Sequence, residues 1–237
     1  MKALTKLTAI AILLITTTSC FIDGIKGNRN VVSEDRSISS NFDQIKVEQG
    51  IQLFITQDNL TELKVEADEN IIDLLKTEVE GNELKIYFEK NIYRAKSRNV
   101  YLSTKDISKI RASSGSSVKS ENTIQVNSLE LDASSGSSIK IQTNANKISS
   151  ESSSGAHINV LGKSKSLYCT ASSGSSINAN KLKTTDATAK ASSGANIKVY
   201  VTKKLTARAS SGGDIDYKGN PKNVNKDTSS GGSVSRS

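Results

Sequence analysis

Few residues in this chain are able to do covalent chemistry. Among its 237 residues His157 is the single histidine, Cys20 and Cys169 are the two cysteines, and tryptophan is absent. A thiol nucleophile needs a base within hydrogen-bond reach, and a protein zinc site needs about four thiolate, imidazole or carboxylate ligands. The register derived below turns His157 outward and Cys169 inward, so neither a nucleophile–base pair nor a zinc or iron site is expected. Cys169 reads as a small core residue. Asp132, Glu151 and Asp214 are outward carboxylates of the kind that hold calcium or act on a glycan. They are expected to be separated by coil and by column, with Asp186 and Asp216 in further columns, which makes them surface charge. Serine is abundant, yet no Gly-x-Ser-x-Gly elbow supports a hydrolase, and "SGSS" recurs too often to be one nucleophile.

That recurrence sets the architecture. Ser-Ser-Gly occurs with its glycine at Gly115, Gly136, Gly155, Gly174, Gly194, Gly212 and Gly231, in steps of 18 to 21 residues. A period near 20 is the mark of a solenoid, in which each coil buries its apolar edge only against its neighbours. Alternate positions place Ile110, Ala112, Ser114, Ser116 and Val118 on one face. Later coils repeat this, as with Leu167, Cys169, Ala171, Ser173, Ser175 and Ile177. The intervening positions are polar or glycine, so the segments read as strands with one buried and one wet face. The column Ser114, Ser135, Ser154, Ser173, Ser193, Ser211 and Ser230 is expected to point inward as a hydroxyl ladder if the glycine is mid-strand. A glycine at a corner with positive φ is the alternative.

The expected fold is all-β: a right-handed parallel β-helix of about seven regular Ser-Ser-Gly coils with a more irregular N-terminal cap. The coil lengths vary too much for a strict hexapeptide left-handed helix, and the calcium-binding nonapeptide of other solenoids is missing. Residues 41–237 are expected to form one head domain, with 107–237 as regular coils and 41–106 as cap and diverged first coils. "FDQIKVEQGIQLFITQ" alternates around Gly50 like a coil. "LKVEADENIIDLLKTEVEGNELKIYFE" predicts a strand, a short amphipathic helix near 69–76 and a hairpin turned at Gly81-Asn82.

The N-terminus reads as an export segment. Lys2 and Lys6 precede the apolar run Leu7–Ile15, and small residues lead to Cys20. That run is too short to span a bilayer permanently. The arrangement is similar to a bacterial lipoprotein signal over 1–19, with Thr17 where a leucine is usual; this likeness implies acylation at Cys20, with 20–40 as a linker. Phe21 after the cysteine favours outer-membrane delivery. Without its first 19 residues the chain loses two lysines, and its formal charge falls from +8 to +6. The cations are scattered among acids without stacking aromatics, so a solvated surface rather than a nucleic-acid site is expected.

Three features together resemble one family: "FDQIKVEQGI" from Phe42, the repeated "SSG" with "GANI" at Gly194–Ile197, and the closing "YKGNPKNV" followed by "SSGG". They are those of the putative auto-transporter adhesin, head GIN domain family of Bacteroidetes lipoproteins, over about 40 to 235. The resemblance implies a β-helix like the pectin-lyase solenoids without their catalytic residues, and a role in cell adhesion. No cofactor or metal is expected. The expected function is a lipid-anchored, non-catalytic binding or adhesion module of the cell envelope. The alternatives are a structural or sensory envelope component without ligand, and a glycan-active enzyme. Its partners would be the membrane, through the lipid, and a glycan or cell-surface molecule. The candidate binding strip is Ser113, Ser134, Ser153, Ser172, Ser192 and Ser210 beside His157, Asn196 and Asp214, where short hydroxyls offer donors and acceptors with little side-chain entropy to lose.

Overall fold

The structure, a computed structural model, describes residues 24–237. Its regular part is built from strands that alternate buried and wet side chains: β10 (Lys109–Ala112), β11 (Ser117–Ser120), β12 (Ile124–Ala133), β13 (Ser138–Ser152), β14 (His157–Ala171), β15 (Ser176–Ala191), β16 (Asn196–Ala209), β17 (Asp214–Lys218), β18 (Asn223–Thr228) and β19 (Ser233–Arg236). Each pairs in parallel with its equivalents in adjacent coils, as in Ile139↔Ile158 and Ile148↔Leu167. The fold is a β-solenoid of about seven turns.

The Ser-Ser-Gly motif is the corner of each coil. Ser114 and Gly115 have φ of +52° and +72°, and the Ser116 N–H donates to the Ser113 carbonyl at 3.1 Å. Two consecutive residues with positive φ closed by this bond are a type I′ turn. The Ser114 column therefore does not point inward, contrary to the mid-strand reading; from Ser114 to Ser230 it is exposed, on the outer crest. The glycine is required by backbone conformation, since a Cβ on Gly115, Gly136, Gly155 or Gly174 would meet nothing within 4 Å. Serine in the left-handed region costs roughly 1–2 kcal/mol. The turn is itself laddered, which offsets that cost: the Gly115 N–H donates to the Ser135 carbonyl and Gly136 to Ser154, each at 3.0 Å, and so on to Gly212 and Ser230.

The inward hydroxyl column lies two residues further on, just past the corner glycine. Ser137 Oγ donates to the Ala112 carbonyl at 2.8 Å and accepts from the Ser134 N–H at 3.0 Å, and Ser116 and Ser175 do the same in their coils. These hydroxyls are satisfied by backbone and not by one another. Along the stack one interior column runs Ile45, Ile110, Leu131, Ser150, Cys169, Ala189, Ala207. Side chains in this column shrink toward the C-terminal end, from isoleucine and leucine to alanine.

The N-terminal part joins the same sheet. Its strands are β1 (Ile25–Lys26), β2 (Val31–Arg36), β3 (Gln44–Val47), β4 (Gln52–Gln57), β5 (Glu62–Asp68), β6 (Leu75–Glu80), β7 (Glu83–Phe88), β8 (Ile92–Arg94) and β9 (Arg98–Thr104). Strands β3 and β4 form a coil whose corner is Gln49-Gly50, at φ +60° and +70°, and they stack in parallel on β10 and β11. On the far side of that coil lie β7 and β9, so it is sandwiched between 83–104 and 109–120. Antiparallel β6, β5 and β2 close the end. The hairpin at Gly81-Asn82 is present, with Glu80 paired to Glu83. The helix expected near 69–76 is instead a three-residue 3-10 turn, Ile72–Leu74, followed at once by β6, because strand pairing with β7 satisfies this backbone. Residues expected as linker carry β1 and β2, and β2 is held along its length by β5.

Candidate functional site

The crest of the solenoid is a row of seven like corners about 4.8 Å apart, the spacing of paired strands. The candidate strip straddles it. On one flank Ser113, Ser134, Ser153, Ser172, Ser192 and Ser210 are half-buried, immediately before the turn. On the other flank runs the column that contains His157, Asn196 and Asp214. The two columns are thus shoulders of a ridge, with the exposed Ser-Gly pairs between them.

The second shoulder is hydrogen-bonded along the stack. His157 Nδ1 lies 2.7 Å from Ser176 Oγ, Asn196 Nδ2 donates to Asp214 at 3.2 Å, and Ser233 Oγ donates to the other Asp214 oxygen. The His157–Ser176 contact follows from their being register partners on adjacent coils. It sits on an exposed ridge, and no carboxylate bonds the other imidazole nitrogen among the described residues, so the orienting group and enclosure of a hydrolytic triad are missing there.

The first shoulder borders a depression of about 280 Å³ lined by Asp132, Glu151, Thr170, Ser134, Ser153 and Ser172 among others. Here the sequence-based expectation is corrected: Asp132 and Glu151 are not separated by column but are direct partners on adjacent rungs. Both lie four residues before a corner glycine, Gly136 and Gly155, so counting back from the glycine puts them in one column; of the three carboxylates only Asp214, two residues after Gly212, lies in another. Asp132 is drawn to Lys109, whose Nζ lies 3.1 Å from one of its oxygens and 2.5 Å from Glu130. That pairing raises the Lys109 pKa, the Glu130 hydrogen bond first and Asp132 after it.

Cys169 is fully buried, and loss of solvation pushes its thiol up to about 12, so it is held as the protonated, unreactive form. Cys20 lies outside the described residues.

Sequence reasoning misses a second concavity, of about 740 Å³, on the outer face of the cap. Asp35, Lys64, Tyr101, Phe54 and Lys119 are successive partners across five strands. The Phe54 and Tyr101 rings stack with centroids 5.1 Å apart, and Lys119 Nζ lies 5.9 Å from the Phe54 ring centre. The available signal was Phe54 at a wet-face position of "IQLFITQ". The strand that delivers Tyr101 beside it is 47 residues away in sequence.

Residues 41–221 match the family described as "Putative auto-transporter adhesin, head GIN domain". The chain belongs to this family. Several solved structures share its fold. A putative adhesin from Bacteroides fragilis superposes with a TM-score of 0.83 at 18% identity, covering 90% of this chain and 100% of that one. A putative adhesin from Parabacteroides distasonis gives 0.75 at 22%, covering 91% and 100%. A putative lipid binding protein from the same species gives 0.72 at 22%, with the same coverage. No curated protein matches the sequence.

Proposed function

We propose that this head GIN domain is a lipid-anchored, non-catalytic adhesion module of the outer membrane, tethered through Cys20, that binds a flat glycan or cell-surface partner along its Ser-Gly ridge. The observation that carries the reading is the crest: like corners at a constant spacing, open above the corner glycines Gly115, Gly136, Gly155, Gly174 and Gly194, and stiffened by the Gly-to-Ser ladder. A rigid row of short donors and acceptors loses little entropy on binding. Its family and its likeness to adhesin structures support the cell-surface part of the reading. A purely structural envelope component is the rival.

The test places Ser153→Lys with Ser172→Lys on adjacent rungs of one shoulder and measures attachment to host cells and glycan arrays. Loss of attachment with unchanged circular dichroism is expected. Attachment that survives the double change would sink the ridge, and release of the Cys20→Ala protein from the membrane fraction checks the tether.

A further inference from the structure

The charge of the cap is sharply divided. Between residues 31 and 88 there are 13 acids and 5 basic residues; in 24–30 and 90–96 together there are five basic residues, Lys26, Arg29, Lys90, Arg94 and Lys96, and no acid. The fold brings these two short segments together. Strands β1 and β8 pair in parallel, with Lys26 beside Arg94, and the Gly27 N–H donates to the Arg94 carbonyl at 2.7 Å. Asp68 ties the following loops to each other: its buried carboxylate accepts the N–H groups of Arg29 at 2.8 Å, Lys96 at 2.9 Å and Ser97 at 3.0 Å. The result is one small tip carrying five exposed cations.

None of the five forms an ion pair within 4.0 Å among the described residues, although nine other Lys and Arg side chains of the domain do. Glu69 abuts the tip and is held by the Asn28 and Asn30 amides. Tyr93 is 40% exposed between these cations, its ring 5.1 Å from the Arg94 guanidinium. A shallow depression of about 290 Å³ lined by Gly24, Ile25, Lys90 and Asn91 lies where the described chain begins.

Position gives this tip its meaning. Four residue steps separate Cys20 from Gly24, and an extended chain spans at most about 3.6 Å per residue, or roughly 14 Å. A lipid on Cys20 would therefore keep the tip within about two Debye lengths of the headgroups at physiological salt. Exposed cations around a tyrosine are the composition that anionic headgroups attract, the ring lying at the interface.

We infer that the β1–β8 tip is a membrane-docking face: Lys26, Arg29, Lys90, Arg94 and Lys96 bind the phosphate headgroups of the bilayer that holds the Cys20 lipid, with Tyr93 at the interface. This rests on the Cys20 tether for its geometry, while the charge on the tip stands without it. Docking would put the cap against the membrane and leave the regular coils to carry the Ser-Gly ridge outward.

The absence of tryptophan makes a direct test available. The full lipidated chain with Tyr93→Trp is reconstituted in phosphatidylethanolamine vesicles containing phosphatidylglycerol, with Tyr168→Trp, on a regular coil, as control. Brominated lipid is expected to quench the residue 93 fluorophore and leave that at 168 unaffected; equal, low quenching at both overturns the inference. A second arm uses residues 20–237 with Cys20→Ala, which keeps every described strand. Its partition onto phosphatidylglycerol vesicles is expected to fall roughly a hundredfold in the triple variant Lys26→Glu, Lys90→Glu, Arg94→Glu, at about fivefold per cation. Equal partition of the triple variant and its parent, or equal binding to neutral phosphatidylcholine, overturns it. If Cys20 takes no lipid, the tether reading fails and this second arm still decides the charge of the face.

Discussion

Ser137 and Ser150 are both buried serines of the solenoid interior, and the same substitution in each is predicted to have opposite signs. Ser137 Oγ makes two bonds to backbone, to Ala112 O and from the Ser134 N–H. Ser150 Oγ is buried without a hydrogen-bond partner, between Leu131 and Cys169 in its column. In Ser137→Ala the Ala112 carbonyl still accepts the Ser134 N–H at 3.0 Å, so no backbone group is orphaned. The loss is then that of ordinary hydrogen bonds, about 1 kcal/mol. Ser150→Ala removes a hydroxyl whose unsatisfied burial costs about 1–3 kcal/mol and loses in exchange the packing of one oxygen atom. A gain of about 1 kcal/mol is expected, consistent with the alanines that occupy this column at Ala189 and Ala207. Urea unfolding of the two variants and the parent, followed by far-ultraviolet circular dichroism, should therefore bracket the parent midpoint, with a separation of about 2 kcal/mol. Midpoints that move in the same direction, or in the reverse order, would refute the assignment of hydrogen bonds as the deciding difference.

Three further outcomes follow from other parts of the fold. Lys226 occupies the interior column where earlier coils have alanine; its ammonium donates to the Val234 carbonyl at 3.0 Å and lies 5.0 Å from the Tyr217 ring centre, closing the open end of the stack. Lys226→Val is expected to expose an apolar strand edge and produce concentration-dependent association in sedimentation velocity, which a strictly monomeric variant would contradict. Asp68 is buried, which opposes its charge, but the N–H groups of Ser97, Arg29 and Lys96 outweigh this and hold its carboxyl below the ordinary range. Its contribution to stability is then full above the unfolded value of about 3.9 and is lost as pH falls through the lower folded value, so Asp68→Asn should flatten the acid limb of a stability–pH curve below about pH 4. Cys169 should resist iodoacetamide at pH 8 in the folded protein and react once urea unfolds it; labelling at equal rates in both states would contradict its burial.

Much of this molecule is written locally. The repeat of Ser-Ser-Gly and the alternation of aliphatic and polar positions determine the solenoid, because side-chain direction along a strand depends only on parity and a coil stacks only on a like coil. The interior places of Ile139, Cys169, Ala171 and Ile197 are legible on that basis. Parity also explains what the sequence leaves open. The corner consumes two residues, an even number, so the alternation on either side is the same whether the glycine lies mid-strand or in a turn, and only the backbone conformation turns the Ser114 column out to solvent. The shared column of Asp132 and Glu151 was legible as well, since each stands four residues before its corner glycine, and the structure confirms the pairing.

The cap shows the same division more strongly. The sandwiching of 44–57 between 83–104 and 109–120, the Phe54–Tyr101 stack and the meeting of 24–30 with 90–96 each join segments dozens of residues apart. Hydrophobic period identifies strands but does not choose their partners, since the backbone groups that pair are the same in every residue. The choice is made by the packing of whole layers over the open end of the stack, and that is a property of the tertiary structure alone.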